Sequence, residues 1–146
     1  MSHEINHAGP TRYICYKLSK VMRKVQRYYE NNLAPYGITP VQFYVLNALW
    51  QNDGMKFKDL AKSVNIDGST LTGILDRMER GGYVERRDDP EDRRSLLVFL
   101  TDKARKNGTA MIELAEKLDR EIREHFSEED FNVFLKVLGR LGDILD

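Results

Sequence analysis

Residues Lys58 to Thr101 constrain the fold of this chain more than any other stretch. A short helical pattern, Lys58-Asp59-Leu60-Ala61-Lys62-Ser63-Val64, leads into a turn at Asn65-Ile66-Asp67. The next segment has two faces. Ser69, Thr70, Thr72 and Gly73 fall on one side, and Leu71, Ile74, Leu75 and Met78 on the other. Such spacing predicts an amphipathic helix whose apolar stripe must be buried against a partner. Gly81-Gly82 stops it, and Asp67 stands as its N-cap. A charged hairpin follows, running out along Tyr83–Arg87 and back along Ser95–Leu100, with Asp88-Asp89-Pro90-Glu91-Asp92-Arg93-Arg94 at its tip. A short helix, a turn, a polar-faced second helix and a basic-tipped hairpin predict a winged helix-turn-helix, a shape suited to a DNA groove.

Long helices flank this unit. Residues 1–10 read as a loose tail punctuated by Gly9-Pro10. From Thr11, the apolar residues Ile14, Leu18, Val21, Val25, Tyr28 and Leu33 recur mostly every three or four positions, one helix that Pro35 and Gly37 break. Thr39 at the N-cap and Pro40 at the first helical position open the next. Asn52-Asp53-Gly54 closes it. Thr101 caps a fifth helix, and Ser127-Glu128-Glu129-Asp130 has the form of a capping box for a sixth. The predicted order is α-α-α-α-β-β-α-α: mainly α with a small β-hairpin wing. Residues 1–146 make one domain, with 39–100 as the winged helix-turn-helix and with 11–36 and 101–146 as dimerisation helices. The last helix motivates that assignment. Val133, Val137 and Ile144 widen the apolar stripe of Phe131, Phe134, Leu135, Leu138, Leu141 and Leu145 beyond what a chain of this size covers. An intertwined homodimer would bury the excess, and two-fold symmetry suits palindromic DNA.

The chain has 23 Lys and Arg against 23 Asp and Glu, so its formal net charge is zero. Overall charge is a poor test of DNA binding, which needs only a local basic surface. Six basic residues and no acid lie between Arg12 and Arg27, while residues 107–146 hold 10 acids and 5 basic residues. No apolar run reaches the roughly 18 residues of a membrane span. Met1-Ser2-His3-Glu4 lacks the start of a secretory signal, so the expected location is cytoplasmic. The single cysteine, Cys15, has no partner for an intramolecular disulfide. His3, His7 and His125 are too scattered for a metal site, and no nucleophile elbow or phosphate loop is present. Neither an enzyme nor a cofactor is expected.

These residues carry a family pattern. The chain resembles the MarR family of winged-helix regulators over about residues 11–146. The most specific part is Asp92-Arg93-Arg94-Ser95 followed by Leu100-Thr101, which matches the family's D-x-R-S…L-T wing signature. Ile38-Thr39-Pro40-Val41-Gln42-Phe43, Asp67-Gly68-Ser69-Thr70-Leu71-Thr72 and Leu75–Val84 support it. The resemblance implies an obligate dimer, a palindromic operator and repression relieved by a small phenolic ligand or an oxidant.

The candidate DNA-binding residues are Ser69, Thr70, Thr72, Arg77, Arg86, Arg93 and Arg94. Short hydroxyls on the second helix permit close approach to base edges and phosphates; ordinary helix capping by Asp67, Ser69 and Thr70 is the bland alternative, and both readings can hold for Asp67 and Ser69. Arg77 either clamps a phosphate or pairs with Asp76 or Glu79. Arg94 matches the signature arginine, with Arg93 beside it, and an arginine suits a narrow minor groove. The resemblance implies that Asp92 braces the wing arginine. Arg86 and Arg87 are generic backbone contacts.

Cys15 is an effector or redox candidate. The family's organic-hydroperoxide sensors carry a reactive cysteine at the corresponding place, and Tyr29 falls where they have a tyrosine that holds the thiolate. A second such tyrosine corresponds to Pro40 here, so the set is incomplete. The competing reading is a small apolar side chain in a helix interface. Tyr29, Tyr36, Phe43, Tyr44 and Trp50 are candidates either for a cleft that takes a small aromatic effector or for ordinary core. The expected function is a dimeric, sequence-specific DNA-binding regulator acting as a repressor. The alternative is a winged-helix protein–protein interaction module without DNA binding.

Overall fold

A computed structural model describes residues 10–146. The expected tail and two of the histidines, His3 and His7, lie outside these residues. The chain divides into two compact units, Met1–Arg105 and Lys106–Asp146.

A 3-10 turn at Pro10–Arg12 precedes α1 (Ile14–Leu33), so the regular helix starts three residues later than the apolar spacing alone places it. A second 3-10 turn, Ala34–Tyr36, ends at Gly37, whose φ of 67° is a left-handed conformation that favours glycine. The helix α2 (Pro40–Gln51) begins as expected and is capped reciprocally. Thr39 Oγ1 accepts the Gln42 amide at 3.3 Å, and Gln42 Oε1 accepts the Thr39 amide at 3.1 Å. A two-residue strand, β1 (Met55–Lys56), leads directly into α3 (Phe57–Val64). Asn65 ends α3 with φ 54°, a conformation its short polar side chain tolerates. The helix α4 (Gly68–Arg80) follows one short turn later.

The wing is longer than predicted. β2 spans Val84–Asp89 and β3 spans Asp92–Leu100, so Asp88, Asp89 and Asp92-Arg93-Arg94 belong to strands, and only Pro90-Glu91 turns the chain. The pairing runs antiparallel from Val84↔Leu100 to Asp88↔Leu96, with an irregularity between Asp88 and Asp89 and a final pair Asp89↔Asp92. Charge near the tip conceals these strand ends from an alternation argument. The sheet also gains an unpredicted third strand. β1 pairs antiparallel with β3 through Met55↔Val98 and Lys56↔Leu97, giving the order β1-β3-β2. Two residues are too few for any periodic signal.

The core of this unit forms where the apolar sides meet. Leu46, Leu49, Leu60, Leu71, Leu75, Met78, Val84 and Val98 are fully buried. Leu71, Ile74, Leu75 and Met78 face inward as the two-sided pattern requires, leaving Ser69, Thr70 and Thr72 in solvent. Two devices fix the wing, one to the 3-10 turn before α2 and one between the end of α4 and the helix beyond the wing. Tyr83 Oη donates to the Tyr36 carbonyl at 2.6 Å, and burial pushes its phenol above the ordinary value. Thr101 Oγ1 donates to the Gly82 carbonyl at 2.6 Å and accepts the Ala104 amide at 3.2 Å, the expected cap of α5 (Asp102–Arg123).

Asp53 ties the far end of β1 to the same region. Its Oδ1 accepts the amides of Leu100 at 2.8 Å and Gly54 at 3.0 Å, and its Oδ2 accepts Arg105 Nη2 at 2.8 Å. Burial, the largest single influence on this carboxyl, pushes its pKa up. The Leu100 amide and the Arg105 guanidinium outweigh it and hold the group below its ordinary value.

In the second unit, α5 continues to Arg123 and α6 runs Glu128–Leu145. Ser127 accepts the Asp130 amide at 3.1 Å, which supplies the N-cap half of the expected box. Phe131 is buried beneath the Arg123 guanidinium, 4.3 Å from its ring centre, and beside Phe134. Much of α6 stays apolar and exposed, including Val133, Val137, Leu138 and Ile144. Among the described residues no helix is long and apolar enough to cross a membrane.

Candidate nucleic-acid interface

The exposed start of α4 is organised by one carboxylate. Asp67 Oδ1 accepts the Thr70 amide at 2.9 Å and the Ser69 hydroxyl at 2.7 Å, while Oδ2 accepts the Thr70 hydroxyl at 2.7 Å. These donors, the Ser69 hydroxyl first, lower the Asp67 pKa from 3.8 to about 2. One turn on, Thr72 Oγ1 donates to the Gly68 carbonyl at 2.9 Å. The capping reading of Asp67, Ser69 and Thr70 therefore holds. It coexists with an exposed polar face, because each hydroxyl remains at the surface with its oxygen lone pairs unspent.

The arginines of the unit sort into two groups. Arg86 is held: its Nε and Nη2 donate to Glu79 Oε2 at 2.8 and 2.6 Å, and Nη2 also meets Asp76 Oδ1 at 2.6 Å. Its side chain is only 23% exposed, so it works as a strut between α4 and β2. Two carboxylates engage its Nε and Nη2, which gives Arg86 a structural role that the expected generic DNA-backbone contact did not foresee. The Glu79 and Asp76 carboxylates raise its pKa further, against the opposing effect of burial. Arg87 pairs with Glu85 at 3.1 Å and lies 4.3 Å from the Phe99 ring centre. Arg77 is exposed and makes no ion pair with Asp76 or Glu79 among the described residues; both of those acids meet Arg86.

Arg93 and Arg94 are exposed, and neither guanidinium has an ion pair among the described residues. The acids around them are used differently from a cancelling charge cluster. Asp89 is 6% exposed, and its Oδ1 accepts the Glu91 amide at 2.9 Å, closing the wing turn. Asp92 Oδ1 accepts the Arg94 amide at 3.0 Å. Asp92 thus braces the backbone of Arg94 and leaves the guanidinium unheld. Below the wing, Arg94 joins Lys56 and Lys58 around an open groove of about 450 Å³, with Asp59 and Asp92 also on its wall. Lys56 and Lys58 were not candidates from sequence. The Asx-like role of Asp67 was visible there as a cap, but the Asp76–Arg86–Glu79 strut depends on where β2 falls against α4.

Cys15 is exposed near the start of α1. Tyr29 lies on the same helix roughly 21 Å further along its axis, at 1.5 Å per residue. Within one chain the two side chains do not meet, so the expected tyrosine–thiolate partnership is not formed intramolecularly. Tyr29 instead stacks on Phe43 at 5.5 Å between ring centres, and Trp50 meets Phe43 edge-on at 6.0 Å. Phe43 is buried in the core, while Tyr29 and Trp50 stay partly exposed beside it. The Trp50 indole N–H is buried and has no hydrogen-bond partner among the described residues.

The model of the MarR family matches residues 38–96, the stretch from the start of α2 to the wing. The "Organic hydroperoxide resistance transcriptional regulator" of Bacillus subtilis (strain 168) is 30% identical over 102 residues, 70% of this chain and 69% of that protein. The "HTH-type transcriptional regulator TtmR" of Methylorubrum extorquens (strain PA1) is 35% identical over 92 residues, 63% of this chain and 47% of the relative, so the match spans about half that protein's length. Among solved structures, the "Transcriptional repressor, CouR, bound to a 23-mer DNA duplex" superposes with a TM-score of 0.83 at 26% identity, covering 95% of this chain and 99% of that one.

Proposed function

We propose that this chain, which belongs to the MarR family, is a homodimeric transcriptional regulator that binds a palindromic double-stranded operator and represses until an effector releases it. The observation that carries the reading is the division of the arginines. Arg86 and Arg87 are engaged with carboxylates, while Arg93 and Arg94 stand exposed and unpaired at the wing. A protein would gain little from two desolvation-costly arginines at an otherwise polar tip, but a minor groove focuses the negative potential that attracts them. In this reading α4 enters the major groove with Ser69, Thr70 and Thr72 toward the bases, and Arg77 reaches a phosphate. Lys56 and Lys58 add phosphate contacts below the wing. Two copies place their α4 helices one helical turn of DNA apart, about 34 Å.

The exposed apolar residues of α1, among them Ile14, Val21 and Met22, and those of α6 support dimerisation through residues 11–36 and 101–146. A DNA partner also fits a cytoplasmic location. The similarity to a DNA-bound repressor supports the DNA reading, and that to the Bacillus subtilis regulator supports an oxidant as the effector. Cys15 is exposed enough to react with a hydroperoxide, and any contact with Tyr29 would have to come from the partner subunit. A small aromatic ligand is the other effector class.

The test is Arg94→Ala in fluorescence anisotropy on operator duplex. The expected loss is about 1–3 kcal/mol of binding free energy, with the salt slope shallower by about 1. Unchanged affinity in moderate salt would remove Arg94 from the interface. A wild-type protein with no salt-dependent DNA binding would favour the protein-interaction alternative.

A further inference from the structure

We propose that Asp67 sets the base preference of α4, by turning the Ser69 and Thr70 hydroxyls into obligatory acceptors that select the exocyclic amino groups of adenine or cytosine in the major groove. The inference rests on the DNA-binding reading above and specifies what the helix reads.

A hydroxyl has one hydrogen to donate and two lone pairs to offer. An ionised carboxylate only accepts. The 2.7 Å contacts from Ser69 Oγ to Asp67 Oδ1 and from Thr70 Oγ1 to Asp67 Oδ2 therefore fix both hydrogens on Asp67. The Asp67 carboxyl titrates near pH 2, so it is ionised at any physiological pH. Thr72 is committed in the same way, because the Gly68 carbonyl that takes its hydrogen is also only an acceptor. Three exposed hydroxyls on one helix thus present lone pairs outward.

That polarity decides which groups they meet. Phosphate oxygens are acceptors and gain nothing from them unless the Asp67 bonds break. In the major groove guanine offers acceptors at N7 and O6, adenine one at N7, and thymine one at O4 beside its methyl group. Adenine N6 and cytosine N4 carry the donors. The helix start is thereby built for amino-bearing edges, and phosphate anchoring falls to the basic side chains.

The substitution that separates this role from capping is Asp67→Asn. Asparagine is as good an N-cap as aspartate. Its carbonyl oxygen still accepts the Thr70 amide and the Ser69 hydroxyl. Its NH2 group replaces Oδ2 and donates to Thr70 Oγ1, which turns the Thr70 hydrogen outward. Thr70 then becomes a donor, which suits guanine N7 or O6, thymine O4 or adenine N7 and no longer needs an exocyclic amino group.

The experiment selects duplexes from a random pool with the full-length wild-type chain, and then measures affinity by anisotropy for point variants of the selected site. One variant set replaces single adenines by purine, which lacks only the N6 amino group. Wild type should lose about 5- to 10-fold at the position under Thr70, the value of one hydrogen bond. Thr70→Val should be indifferent to that replacement, and Asp67→Asn, with Thr70 now donating, should lose its dependence on the amino group and accept guanine or thymine there as well. Should Asp67→Asn not fold, the wild type and Thr70→Val still decide through the purine series. Wild-type indifference to every amino group under α4, or an unaltered base preference in folded Asp67→Asn, overturns the inference while leaving DNA binding intact. Failure of the wild type to enrich any duplex removes the DNA-binding reading itself, and this inference with it.

Discussion

Replacing Arg86 by methionine separates a strut from a DNA contact. Methionine keeps most of the aliphatic stem and removes the guanidinium that joins Glu79 at 2.6 and 2.8 Å to Asp76 at 2.6 Å. Hydrogen bonds to charged groups contribute about 1.5–3 kcal/mol when well buried. Exposed ion pairs contribute about 0.2–1 kcal/mol. Arg86 is 23% exposed, but its partners are 50% and 38% exposed, so solvent screens them and the value falls between those ranges. The substitution also leaves two carboxylates three residues apart on α4, a repulsion of a few tenths of a kcal/mol. The expected total is about 1–2 kcal/mol, a fall in Tm of roughly 2–8 °C for a chain of this size. The paired assay is the slope of log affinity against log salt on operator DNA. A strut lowers Tm and leaves the slope unchanged. A phosphate contact makes the slope shallower by about 1 and leaves Tm near the wild-type value. The second pattern would refute the assignment of Arg86.

Three further outcomes follow from other parts of the chain. Gly54→Ala should destabilise by at least about 1–2 kcal/mol from the left-handed backbone alone, because φ is +75° and the added Cβ would stand 2.8 Å from Phe99 Cε1; a Tm equal to wild type would show that β1 and Phe99 yield freely. The stabilising role of Asp67 has a defined pH window: its folded pKa is depressed, so its contribution is complete above the ordinary carboxyl value of 3.8 and is lost as pH falls through about 2. The Tm difference between wild type and Asp67→Ala should accordingly be constant above pH 4 and shrink below it, and a difference that instead grows on acidification would contradict the carboxylate cap. Leu138→Asp, on the exposed apolar face of α6, should shift sedimentation from dimer to monomer, and an unchanged dimer mass would remove that face from the interface.

Local features were legible in the sequence and distant ones were not. Thr39-Pro40, Asp67, Thr101 and Ser127 mark helix starts that the structure confirms, since an N-cap acts within three residues of itself. The two faces of α4 were equally plain, because period 3.6 separates Leu71, Ile74, Leu75 and Met78 from Ser69, Thr70 and Thr72. β1 was hidden by its length, and its pairing with β3 joins residues more than 40 positions apart. Arg86 illustrates the limit best. Nothing near it in sequence shows that Asp76 and Glu79 lie opposite, because the register of β2 against α4 decides that contact. Asp53 is similar, with partners 47 and 52 residues away. The direction of hydrogen donation around Asp67 required coordinates as well, since a cap is defined by one amide and does not specify two neighbouring hydroxyls.

The central claim is that the polar face of α4 and the unpaired wing arginines together recognise DNA. Anisotropy of the wild-type chain on duplex from its own upstream region, titrated across salt with random-sequence duplex as competitor, tests it most directly. The account predicts tight binding that survives competitor and weakens linearly in log salt, with several counterions released per dimer. Binding no tighter than to the competitor at any salt, after selection from a random pool has also yielded no preferred duplex, would contradict it.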